Sequence, residues 1–88
     1  MEFVVYILWS QEHDQIYIGF TENLIQRYHW HNHGPKGYTL RYRPWKVVHV
    51  QFFESKSEAL KREKLLKGGQ GRIWIRENLN KEAGFISA

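Results

Sequence analysis

Cysteine is absent from the 88-residue chain. Its absence excludes disulfide frameworks, zinc–thiolate sites and thiol nucleophiles, and it points to a reducing compartment, so a cytoplasmic location is expected. Long apolar runs are missing as well. The longest, residues 3–9, is far too short to span a bilayer, and no membrane partner is expected. The start Met1-Glu2 lacks the basic region of a secretory signal. No internal repeat, low-complexity tract or linker divides the sequence. At 42% hydrophobic and 25% charged, the chain has the composition of a globular protein and room for a single core.

Lys and Arg are absent from the first 22 positions, which carry Glu2, Glu12, Asp14 and Glu22. Twelve of the thirteen Lys and Arg then fall in residues 23–76, against Glu54, Glu58 and Glu63. The total is only +4, but the middle segment is strongly basic. Such a segment concentrates a polyanion by long-range attraction, yet Lys and Arg on helix surfaces are also ordinary solvated faces. Charge alone leaves both readings open.

Residues 3–9 are β-branched and aromatic and predict a strand. Residues 10–14 form a polar turn and residues 15–20 a second strand, so a hairpin is expected. Thr21 is the candidate cap of a helix over 23–33, with Glu22 in its first turn and Gly34-Pro35 as its stop. A basic, aromatic loop covers residues 36–44, and residues 45–54 alternate as a third strand. Ser55 and Glu58 make a capping box for a helix over 56–67, which Gly68-Gly69 ends. A last helix is expected over 70–80. Residues 1–80 then form the domain and 81–88 a short, loose tail. The order β-β-α-β-α-α predicts an α/β (α+β) fold with a small, mainly antiparallel sheet.

On the helical wheel of residues 56–67, Ala59, Leu60 and Leu66 mark an apolar side, and Glu63 falls on it. An acid there is ion-paired, lines a cleft or holds a cation, because burying it bare is costly. In the first helix Leu24, Ile25 and Tyr28 are apolar, and Arg27 and His31 share one edge at i and i+4. That pair is either a solvated face or a grip for phosphate, with a planar guanidinium beside a group that donates or accepts a proton. Tyr6 and Tyr17 lie near each other across the hairpin, as core aromatics or as phenols near a reacting water. His29, His31 and His33 do not make a metal site on a helix, since His31 points away from the other two. One carboxylate, one Arg, two phenols and an imidazole are together what metal-assisted phosphodiester hydrolysis requires.

The chain resembles the GIY-YIG nucleases. Tyr17-Ile18-Gly19 is the second half of their signature, and Val4-Val5-Tyr6 stands for the first, keeping the tyrosine without the glycine. Arg27-x-x-x-His31-Asn32, Pro44-Trp45 and Ala59-x-x-x-Glu63 with Lys67 follow in the family's order. The resemblance covers nearly the whole chain. It implies a three-stranded antiparallel sheet flanked by three helices, and a divalent-metal-dependent endonuclease acting on DNA. Glu63 would hold one Mg²⁺ or Mn²⁺ and Arg27 would neutralise the phosphorane. Tyr6, or secondarily Tyr17, would deprotonate the attacking water, with His31 assisting. Gly19 would let the backbone pass close to this cluster.

Lys36, Arg41, Arg43 and Lys67 are the candidate nucleic-acid contacts. Some relatives carry a Lys after the second triplet, where Phe20 stands here. A late Asn or Gln orients the site in some relatives, and Gln70 and Asn78 are the candidates. Homing and excision-repair relatives add domains to choose a target. Here none is expected, so sequence specificity should be low and selectivity should come from DNA shape, a homodimer or a protein partner, in DNA repair or recombination. Two other readings stay open. A non-catalytic nucleic-acid binder would stack bases on the tyrosines of the 36–43 loop. A protein-interaction module would use Trp9 and Trp30, should the core not hold all four Trp.

Overall fold

The computed structural model describes residues 2–35, 37–82 and 85–86, the side chain of Tyr38 excepted. Three antiparallel strands form the sheet in the order β2-β1-β3, from β1 (Phe3–Ser10), β2 (Gln15–Thr21) and β3 (Lys46–Phe53). Helix α1 (Leu24–His33) follows the hairpin, and a short 3-10 turn (Tyr38–Tyr42) leads into β3. Helices α2 (Lys56–Lys67) and α3 (Gly69–Asn78) come next. Three strands and three helices stand in the expected order.

β1 is apolar and aromatic up to Ser10, as suits a central strand covered on both faces. Its pleat divides the core in two. Val5, Ile7 and Trp9 pack with Ile16, Ile18 and Val48 against Ala59, Leu66 and Ile75 of α2 and α3. Tyr6 and Leu8 project from the other face, with Trp45, Tyr17 and, from α1, Leu24 and Tyr28. The pairing sets Tyr6 opposite Gly19 and Leu8 opposite Tyr17, which aligns both phenols on the α1 side.

Several local expectations need correction. Asn23, not Thr21, caps α1: its Oδ1 accepts from the Gln26 N–H at 3.1 Å, while Thr21 Oγ1 accepts from the Asn23 N–H at 3.0 Å. Both residues cap well, and only the backbone path out of β2 selects between them. Ser55 caps α2 as expected, accepting from the Glu58 N–H. α3 ends at Asn78 rather than at residue 80. Leu79–Asn80 (β4) instead pairs with Phe85–Ile86 (β5), and Ile86 packs on the core. The tail is therefore not loose throughout, and two-residue strands leave no periodicity to read. Trp9, doubted as a core residue, is fully packed inside.

Candidate active site

Four of the expected residues converge on the α1 face of the sheet. The Tyr6 ring lies across Gly19, where an added Cβ would sit 2.4 Å from Tyr6 Cζ and Oη. Only glycine leaves room for that ring. From its cap at Asn23, α1 carries Arg27 and His31 on successive turns toward the same place. Tyr6 Oη is 2.8 Å from His31 Nε2, and the Tyr17 ring centre lies 4.7 Å from that of His31 and 6.3 Å from that of Tyr6. The Arg27 guanidinium acts electrostatically on both phenols and stacks on Trp30, 4.7 Å from its ring centre.

The two faces of this cluster differ. Tyr6 and His31 are sealed from solvent at 0% exposure, whereas Tyr17 and Arg27 are half-buried. Burial pushes the Tyr6 phenol up to about 12; the Arg27 hydrogen bond opposes this, and the charges of Tyr17 and Glu63 add to it. Burial also lowers His31 to about 4, helped by the charges of Arg27 and Arg43, so the imidazole is neutral at pH 7. Tyr17 opens on a groove of about 280 Å³ that it shares with Lys67 and Arg72. Arg27 opens on another, of about 290 Å³, with Trp30, Asn23 and Gln26.

Glu63 approaches from α2. Its side chain is 19% exposed, and Lys67 Nζ, one turn on, lies 3.1 Å from Oε2. The carboxylate still acts electrostatically on Tyr6, which places it in the field of the cluster. Among the described residues no group of three or more His, Cys, Asp or Glu is arranged for a metal ion. A single carboxylate nonetheless suits Mg²⁺, which keeps most of its waters and takes one or two carboxylates plus substrate phosphates. His29 and His33 stack on each other, ring centres 4.7 Å apart, away from buried His31.

The basic loop divides. Lys36 lies outside the described residues, and Arg41 is exposed. Arg43, expected as a nucleic-acid contact, instead closes the end of α1: Nε donates to the His31 carbonyl at 2.7 Å, and the other donors reach the Trp30 and Gly34 carbonyls. The Trp30 carbonyl also accepts from the Gly34 N–H at 2.7 Å, and the guanidinium matches both the geometry of this helix end and its negative charge. Tyr42, expected as a stacking platform, packs edge-on to Trp45, ring centres 6.3 Å apart. Phe20 belongs to the opposite face, stacked on Phe3, so position 20 does not face the phenols. Asn78 Nδ2 donates to the Trp74 carbonyl of its own helix, and Gln70 is exposed at the head of α3.

Thr39 was not among the candidates. It is 2% exposed, and its Oγ1 lies 2.9 Å from His31 Nδ1. A lone threonine in a basic loop carries no periodic or motif signal, so only the folding of residues 38–42 against α1 reveals it. Arg72 was missed for a similar reason, as one Arg among many.

The chain matches the family model described as the GIY-YIG catalytic domain over residues 2–78. It is 42% identical over 64 residues to a UPF0213 protein of Clostridium perfringens, covering 72% of this chain and 68% of the relative. A UPF0213 protein of Syntrophus aciditrophicus is 42% identical over 65 residues, covering 72% and 74%. Among solved structures, the NMR structure of a UPF0213 protein from Bacillus halodurans superposes with a TM-score of 0.54 at 28% identity, covering 88% of this chain and 84% of that one. The chain belongs to the GIY-YIG family.

Proposed function

We propose that this member of a nuclease family is a divalent-metal-dependent endonuclease that hydrolyses DNA phosphodiesters with low sequence specificity. The observation that carries the reading is the convergence of Tyr6, Tyr17, Arg27 and His31 from three separate elements, within the field of Glu63. Arg27 is poised to balance charge on a pentacovalent phosphorus, since it remains cationic between two phenols. Burial and its raised pKa make Tyr6 a poor base, so Tyr17, which water reaches from the Lys67–Arg72 groove, orients or deprotonates the nucleophile. Lys67 and Arg72 hold the phosphate backbone along that groove. Glu63 would hold Mg²⁺ or Mn²⁺, which when bound supplies Lewis-acid polarisation of the scissile phosphate.

The test is incubation of the purified protein with branched, nicked and linear DNA in Mg²⁺ or Mn²⁺, beside Glu63→Gln and Arg27→Ala. Cleavage by the parent that falls about a hundredfold or more in each variant supports the reading. The bond from Lys67 to Glu63 favours one alternative, a metal-indifferent DNA binder. Salt-sensitive binding with no cleavage of any substrate, unchanged in Glu63→Gln, would establish that alternative instead.

A further inference from the structure

The polar chain behind the phenols has a direction. Arg27 acts electrostatically on Tyr6 and can only donate, so a hydrogen bond between them must end on the phenol oxygen. The phenol proton then needs another acceptor, and His31 Nε2 stands 2.8 Å away. A neutral imidazole that accepts at Nε2 carries its hydrogen on Nδ1, and Nδ1 faces Thr39 Oγ1 at 2.9 Å. His31 and Thr39 are both sealed from water, so bulk solvent cannot replace either bond.

Thr39 is itself held on the frame that carries His31. Its carbonyl accepts from Trp45 Nε1 at 2.9 Å, and the Trp45 backbone N–H donates to Asn32 Oδ1 at 2.8 Å, one residue beyond His31 on α1. Arg43 clamps the same helix end. Residues 39–45 thus form a strap behind the site, with the Thr39 hydroxyl hydrogen-bonded to the imidazole.

We infer that Thr39 is a positioning residue that fixes the His31 proton on Nδ1, so that Tyr6 donates to Nε2 and turns its lone pairs to Arg27. Without an acceptor at position 39 the Nδ1–H would be buried unpaired, and the other tautomer would become competitive although it leaves the Tyr6 proton without a partner. The effect on turnover rests on the nuclease reading. The proton position does not, because it belongs to the metal-free, DNA-free protein.

The experiment is nitrogen-15 NMR of histidine-labelled protein at neutral pH, which distinguishes protonated from bare ring nitrogens, on the parent, Thr39→Val and Thr39→Ser. The parent and Thr39→Ser should show His31 solely as Nδ1–H, and Thr39→Val should lose that single signature. Turnover of nicked DNA should fall about tenfold in kcat for Thr39→Val with KM unchanged, and Thr39→Ser should restore it. An Nε2–H or doubly protonated His31 in the parent overturns the inference, as does a Thr39→Val protein that stays purely Nδ1–H. Should Thr39→Val not fold, the parent and Thr39→Ser spectra decide, since Nε2–H in either refutes it. Expected spectra from a parent that cleaves nothing would remove the nuclease reading and leave the tautomer assignment standing.

Discussion

Replacing Gly19 by alanine tests how the site is built. The new Cβ would lie 2.4 Å from Tyr6 Cζ and Oη and 2.9 Å from Cε1, so the ring must move by about an ångström to reach ordinary contact. It has nowhere to go, because Tyr6 is wholly enclosed and its hydroxyl is tied to His31 at 2.8 Å. Overpacking of this kind costs about 1–3 kcal/mol, and breaking the hydrogen bond adds about 1 kcal/mol. Removing a strand glycine returns about 0.5–1 kcal/mol of backbone entropy. The net expectation is a loss of about 1–3.5 kcal/mol, or roughly 5–25 °C in Tm for a domain of this size. Urea unfolding followed by Trp fluorescence measures it, in the parent and in a Tyr6→Ala background. With the ring gone the clash disappears, so Gly19→Ala there should be neutral or slightly stabilising. An unchanged midpoint for the single variant, or the same penalty in both backgrounds, would refute the close-approach argument.

Three further outcomes follow from the same contacts. His31 sits near 4 in the fold against about 6.5 in the unfolded chain. The unfolded state therefore binds the proton first, and stability should fall as pH drops from about 6.5 to about 4, by up to about 3 kcal/mol. His31→Gln should flatten that slope in urea titrations at stepped pH, and a slope equal to the parent's would discredit the assignment. Arg43→Met should cost about 1–3 kcal/mol in chemical denaturation, by taking the guanidinium donors from the His31 and Gly34 carbonyls at the end of α1, and should leave the salt slope of DNA binding unchanged. Arg72→Ala should instead lower the salt slope by about one while folding like the parent, because Arg72 is exposed in the Tyr17 groove.

Much of the fold was legible in local chemistry. The apolar run of residues 3–9, the S-x-x-E cap at Ser55 and the stop at Gly68-Gly69 each follow from short-range physics, and α2 spans residues 56–67 as expected. The α1 cap and the end of α3 were misplaced because neighbouring residues were chemically equivalent candidates. The gathering of Tyr6, Tyr17, Arg27 and His31 was legible only as an ordered resemblance, with no distances.

What the sequence determined by itself was the order of elements and the residues able to do chemistry, since capping, periodicity and side-chain identity are local properties. The tertiary structure alone decided which of those residues are free to act. Arg43 and Tyr42 looked like nucleic-acid contacts and are bound into the protein, while the unmarked Thr39 stands behind the imidazole. The reason is that a hydrogen-bond donor carries no record of its acceptor: burial and direction arise only when α1, the sheet and residues 38–45 close on one another.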